Sequence, residues 1–117
     1  MTEPRNLVID ANIILRALLE DVPEQAVKVR HLLEKAEAGK LKLLVPEPVL
    51  SDVVYVLGGM KVPKEEIGQA AKGWLNLPGV APLGIDLNVV HTCLDLFVEK
   101  NLKWSDALIA ARMLEWG

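Results

Sequence analysis

Apolar and polar positions follow two different periods along this chain. Short apolar runs at 7–9 (LVI) and 41–45 (LKLLV), with a weaker one at 80–83 (VAPL), are typical of buried strands. Between them apolar residues recur every three or four positions, which predicts helices over 13–19, 23–38, 49–57, 64–77, 87–100 and 106–116. Strands that alternate with helices predict an α/β fold, in which helices cover a parallel sheet.

Turn and cap residues support several of these boundaries. Pro23 suits the first turn of the second helix, and Gly39 follows its end. Gly58 is a stop signal for the third helix. The expected N-caps of the first and last helices are Asn12 and Ser105.

Composition narrows the class of protein. With 117 residues, of which 51% are hydrophobic and 25% charged, the chain is expected to form one domain over 1–117. A single cysteine, Cys93, excludes an internal disulfide and favours a cytoplasmic location. Glu3 and Pro4 come too early for a signal peptide, and no apolar stretch is long enough to cross a membrane. A net charge of −3 argues against a protein that coats nucleic acid, though not against an enzyme with a metal-neutralised site.

Three aspartates stand where an α/β chain would gather acids at one edge of its sheet. Asp10 ends the strand LVID, Asp52 interrupts the helix VLSDVVYVL, and Asp106 opens the helix WSDALIAA. A buried carboxylate is costly unless its charge is compensated, so we expect the three to converge on a shared cation. Oxygen ligands favour Mg²⁺ or Mn²⁺. The chemistry such a site predicts is metal-assisted hydrolysis of a phosphodiester.

Each acid also has a structural interpretation. Asp10 can cap the following helix, and Asp106 in a first turn favours the helix dipole. Asp52 shares its helical face with Tyr55 and Val56, so we expect it to face the protein. The alternative for Asp52 is an exposed acid on a helix with a narrow apolar stripe.

Polar residues near Asp10 supply candidate substrate contacts. Asn12 is expected to orient a carboxylate or a metal-bound water. Arg16, one helical turn further along, is the first candidate for a phosphate contact. Lys103 and Arg112, near Asp106, come next; a solvated surface charge is the alternative for each.

Three segments in this order, LVIDANIILRALL, LLVPEPVLSDVVYVL and LKWSDALIAARM, resemble the PIN-domain ribonucleases, especially VapC-type toxins of toxin–antitoxin pairs. The resemblance implies a PIN-like three-layer sandwich that cleaves single-stranded RNA with Mg²⁺ or Mn²⁺. The family's first Asp falls on Asp10 and its polar companion on Asn12. The acid of the third helix, most often Glu, falls on Asp52, and the third acid on Asp106. Family members normally continue into a strand that carries a fourth acid, so the resemblance implies a domain that is short at its C-terminal end.

The same resemblance implies three partners: an RNA substrate, an antitoxin protein and a second copy of the chain. The last helix, ALIAARMLEW, carries more apolar residues than one covered face needs, and Trp74 and Trp104 are candidate interface anchors. We therefore expect a homodimer with this helix in or beside the interface. The alternative to an active toxin is a catalytically inactive or weak PIN-like module kept for its protein contacts.

Overall fold

The computed structural model describes residues 3–116. Within them, β1 (Arg5–Val8), β2 (Leu41–Pro46) and β3 (Val80–Leu83) form one parallel sheet in the order β1-β2-β3. The helices are α1 (Ala11–Leu19), α2 (Pro23–Glu37), α3 (Glu47–Gly59), α4 (Lys64–Leu75), α5 (Leu87–Glu99) and α6 (Trp104–Trp116). In this part of the chain no helix is long and apolar enough to cross a membrane. The predicted fold class and order of elements are confirmed.

The core is built around β2, the central strand. Leu43 pairs with Leu7 on one side and with Val80 on the other. Leu43 and Val45 point to one face of the sheet and are buried, whereas Lys42 on the other face is exposed. Helices α2 and α3 pack on β2, and α4 packs on β3. The apolar runs of the sequence therefore mark the core correctly at the centre of the sheet.

A second part of the core lies between α5 and α6, which pack against each other. Cys93 of α5 is fully buried, as expected for a core thiol. Burial, with a smaller contribution from the carboxylate of Glu47, raises the pKa of the Cys93 thiol to about 12. This cysteine therefore stays a neutral, apolar packing group.

Neither Asn12 nor Ser105 is an N-cap, whereas the structural interpretation of Asp10 as a cap is confirmed. The side chain of Asp10, not Asn12, caps α1, because its Oδ1 accepts a hydrogen bond of 3.1 Å from the backbone N–H of Ile13. Asp10 has the extended backbone conformation that an N-cap requires. The last helix begins at Trp104, so Ser105 lies inside its first turn.

The prediction of a buried strand over 7–9 holds only for Ile9, which keeps 1% of its surface. All four residues of β1 are exposed, and Val8 keeps 58% of its surface. The backbone N–H groups of Arg5 and Ile9 donate to Lys40 and Leu44, on the β2 side. No strand lies on the other side within residues 3–116, so β1 is an edge strand whose apolar side chains lack a cover.

Trp74 and Trp104 do not lie at the surface as interface anchors. They keep only 5% and 4% of their exposed area, so both belong to the core. Trp104 packs edge-on against Phe97, with ring centroids 5.6 Å apart. The exposed tryptophan is Trp116, at the end of α6.

Candidate functional site

The carboxyl ends of the three strands form one edge of the sheet. Asp10 follows β1 after one residue, Glu47 directly follows β2, and Gly84 directly follows β3. Ile9 still pairs with β2, since its N–H donates to the carbonyl of Leu44 at 3.0 Å. In open parallel sheets this edge is where ligands bind. The fold thus places the first predicted site residue, Asp10, as the sequence predicted.

Asp10 is exposed, and its structural role leaves part of the carboxylate available. The cap to Ile13 uses Oδ1. A carboxylate has two oxygens with about four acceptor sites. Asp10 therefore can cap α1 and still ligate a cation, so the structural and functional interpretations are compatible.

Asp52 is exposed, and the prediction that it faces the protein is wrong. Its helical neighbours Tyr55 and Val56 keep 61% and 42% of their surface, so α3 is open from Asp52 onward on this face, whereas Val49 is half-buried. Helical spacing showed correctly which residues share a face, but it does not tell whether anything covers that face.

A hydrogen bond ties the start of α6 to α3 beside Asp52. The indole Nε1 of Trp104 donates to Oγ of Ser51 at 2.8 Å. Asp106, which is exposed, lies in the first turn of α6. The bond therefore joins the helix segments that carry Asp52 and Asp106.

The helix that Asp10 caps, α1, packs on α3, which carries Asp52. Among residues 3–116, no three His, Cys, Asp or Glu side chains lie close enough together to hold a metal ion. The close convergence of Asp10, Asp52 and Asp106 is therefore not found in the described chain. The donors are present as separate, exposed carboxylates.

Arg16 is held by an ion pair. Its Nη1 lies 2.6 Å from both carboxylate oxygens of Asp21. The hydrogen bond from Arg16 holds the pKa of Asp21 below its ordinary value. A phosphate at this position would therefore share the Arg16 guanidinium with Asp21.

Asp10 lines a cleft between α1 and α2 with a volume of 330 Å³. The predicted substrate contacts Asn12 and Arg16 also line it, together with Gln25 and Lys28 from α2. The cleft thus brings one acid, two amides and two cations to the end of β1. If a metal ion bound to Asp10, a negatively charged ligand beside that ion would lie next to the basic side chains of the cleft.

Gln25 and Lys28 line the cleft but were not predicted as site residues. A signal was available, because they lie three residues apart on the same face of α2 as Val29 and Leu32, which line the same cleft. That observation alone would not have identified α1 as the neighbour.

Arg112 forms a link across the ends of two strands. Its Nη2 lies 2.5 Å from Oε2 of Glu47 and donates to the carbonyl of Gly84 at 3.0 Å. The Glu47 carboxylate raises the pKa of Arg112. Arg112 thus holds α6 to the ends of β2 and β3 and does not project freely as a phosphate contact. Lys103, the other candidate near Asp106, is exposed.

The family model for the PIN domain matches residues 7–117. This chain belongs to the PIN-domain family. No curated protein sequence matches it. PIN domains are in general metal-dependent nucleases, and the matched range includes Asp10, Asp52 and Asp106. The parallel sheet flanked by helices is consistent with a PIN-like fold.

Proposed function

We propose that this PIN domain is an endoribonuclease that hydrolyses RNA with Mg²⁺ or Mn²⁺ and acts as the toxin of a VapC-type toxin–antitoxin pair. The observation that carries the proposal is the position of Asp10. It lies at the carboxyl edge of a parallel sheet, beside a cleft that Arg16 and Lys28 also line. A metal-binding acid next to basic groups suits a phosphodiester substrate.

The ligands we propose for the metal are Asp10, Asp52 and Asp106. Their donor chemistry fits, because exposed carboxylates supply the oxygen ligands that Mg²⁺ and Mn²⁺ prefer. None of the three forms an ion pair within residues 3–116, so their charge is available to a cation. When bound, the metal supplies an activated water and stabilises developing negative charge.

Asn12 and Arg16 are the proposed substrate contacts. The amide of Asn12 lies two residues from Asp10 and lines the same cleft, where it orients a carboxylate or a water. Arg16 donates to a phosphate oxygen with the guanidinium N–H groups that Asp21 does not use. Both side chains bind substrate from α1, which the Asp10 cap anchors.

The function is tested with a short, labelled single-stranded RNA. We expect the purified chain to cleave it when millimolar Mg²⁺ or Mn²⁺ is present and to stop when EDTA is added. The products should accumulate at internal positions, as expected of an endonuclease. A double-stranded RNA of the same sequence should be cut more slowly. Cleavage that is unchanged in EDTA would contradict the proposal.

The toxin assignment comes from the resemblance, and the alternative is an inactive PIN module that binds protein. The absence of a closed three-acid group in residues 3–116 favours that alternative. Absence of cleavage with either metal, together with retained binding of a protein partner, would support the inactive PIN module. Growth arrest that follows expression of the chain and is relieved by an antitoxin protein would decide for the toxin.

We further propose a homodimer formed through α6. Four of its apolar side chains are more than half exposed: Ile109, Met113, Leu114 and Trp116. Ile109, Met113 and Trp116 also line a largely apolar groove of 370 Å³ beside the start of α3. Exposed apolar surface of this kind is typical of an interface, and twofold symmetry lets the same helix face itself.

Light scattering measures this state directly. At tens of micromolar we expect a mass twice the 12.9 kDa of one chain. Leu114→Glu should lower the mass to that of the monomer, because a charge would be buried in the interface. Val27→Glu, which changes an exposed valine of α2, is the matched control and should leave the dimer intact. A wild-type chain that is monomeric at this concentration would contradict the proposal.

A further inference from the structure

The cleft between α1 and α2 has a polar rim and an apolar floor. Gln25, Lys28, Val29 and Leu32 occupy one face of α2, at spacings of three, four and seven residues. Val29 is buried and Leu32 is half-buried, whereas Gln25 and Lys28 are exposed. Ile13 of α1 lines the opposite wall. This combination suits a ligand with one apolar face and one charged edge.

The two basic side chains of the cleft differ in whether an acid compensates their charge. Arg16 is paired with Asp21, so its positive charge is largely compensated. Lys28 forms no ion pair with any residue between 3 and 116, and its ammonium group is available to a ligand. Asp10 lies at the rim and repels an anion until a cation neutralises it. Lys28 is therefore the group of this cleft most suited to bind a phosphate directly.

We propose that the α1–α2 cleft binds the nucleotide that adjoins the scissile phosphate of single-stranded RNA, with Lys28 contacting its phosphate and Gln25 its base. The inference rests on the proposed function, since it needs RNA cleavage at Asp10. The amide of Gln25 both donates and accepts, which is what reading a base edge requires. The apolar floor accepts the ribose and the face of the base. Bases of a duplex are stacked inside it, so a single strand is the form that enters.

The test measures RNA binding by fluorescence anisotropy in EDTA, where binding is separated from metal-dependent cleavage. Lys28→Ala should raise the Kd about fivefold for every RNA sequence. It should also reduce the slope of log K against log salt by about 0.7, as expected when one phosphate contact to a single strand is lost. Lys28→Arg should restore binding. Gln25→Ala should raise the Kd by an amount that differs between U-rich, A-rich and C-rich RNAs.

Lys35→Ala is the matched control, because Lys35 is an exposed lysine of the same helix that does not line the cleft. Its Kd and salt slope should equal those of the wild type. Lys28 is exposed, so the thermal melt of Lys28→Ala should match that of the wild type. Equal binding by Lys28→Ala and Lys35→Ala, or no binding of RNA by Asp10→Asn, which lacks the charge that repels a phosphate in EDTA, would overturn the inference. If Lys28→Ala weakens binding but the wild type does not cleave with Mg²⁺ or Mn²⁺, the cleft binds RNA through Lys28, but its place beside a scissile phosphate fails together with the nuclease proposal.

Discussion

Asp10→Asn should abolish metal-dependent RNA cleavage while it leaves the fold intact. The substitution removes the negative charge that we propose binds the metal. Metal ions stabilise such transition states by several kcal/mol, and each factor of ten in rate corresponds to about 1.4 kcal/mol. We therefore expect cleavage to fall by at least about a hundredfold. Cleavage is measured as the initial rate at saturating Mg²⁺ or Mn²⁺.

The role of Asp10 as the cap of α1 makes this substitution informative. Asparagine caps a helix as well as aspartate, so the bond to the N–H of Ile13 can be kept. Only the interaction of the charge with the helix dipole is lost, which costs less than about 1 kcal/mol. Asp10→Ala loses the cap as well and should lower the free energy of unfolding by about 1 kcal/mol. The two variants separate the structural role from the functional one.

Thermal melts supply a readout that does not depend on activity. Millimolar Mg²⁺ or Mn²⁺ should raise the Tm of the wild type, because a ligand of the folded state stabilises it. The increase should be smaller in Asp10→Asn. Asp95→Asn is the control, since Asp95 is an exposed acid that pairs with Lys72 and does not line the α1–α2 cleft. Equal cleavage and equal metal shifts in wild type and Asp10→Asn would show that Asp10 is no ligand.

Local sequence patterns predicted the helices and strands, because the formation of each helix or strand depends mainly on residues that are close in sequence. The alternation of apolar runs and helical stripes is enough to define β2, α3 and α5, whose buried residues recur at the expected spacing. The order of strands and helices then implies a parallel sheet and the position of Asp10 at its edge. These parts of the fold and of the site were accessible from the sequence.

What the sequence did not reveal depends on contacts between distant residues. The apolar run of β1 predicts a strand but does not show whether a neighbour covers it, and Val8 is exposed. For the same reason Asp52 was expected to face the protein. The ion pair of Arg112 with Glu47 joins residues 65 positions apart, so no local sequence pattern predicts it. The cleft that unites Asp10 with Lys28 likewise needs the packing of α1 on α2.

Trp104 connects the core to the segments that carry two of the proposed ligands. Its ring is 4% exposed and packs edge-on against Phe97. Its indole N–H donates to Ser51, next to Asp52 on α3. Trp74 is buried to the same degree, but its Nε1 has no hydrogen-bond partner in the described residues. The two tryptophans therefore differ in their hydrogen bonding and in the contact of Trp104 with Phe97.

Trp104→Ala should lower the free energy of unfolding by about 3–5 kcal/mol, the usual cost of removing a large buried aromatic ring. Folded domains are stable by only about 5–15 kcal/mol, so this loss is a large share of the total. Trp116→Ala is the matched control, because Trp116 is 88% exposed, and it should change stability by less than about 0.5 kcal/mol. Urea unfolding is followed by far-UV circular dichroism at one fixed protein concentration, because a dimer would make stability depend on concentration.

Phenylalanine substitutions isolate the hydrogen bond within the same experiment. Trp104→Phe and Trp74→Phe remove similar ring volume, but only Trp104→Phe leaves the hydroxyl of Ser51 without its donor. We therefore expect Trp104→Phe to cost about 0.5–1.5 kcal/mol more than Trp74→Phe. Equal losses in the two Phe variants would contradict a stabilising contribution of this size from the Ser51 bond. A loss of less than about 1 kcal/mol in Trp104→Ala would contradict the assignment of Trp104 to the core that joins α6 to α3.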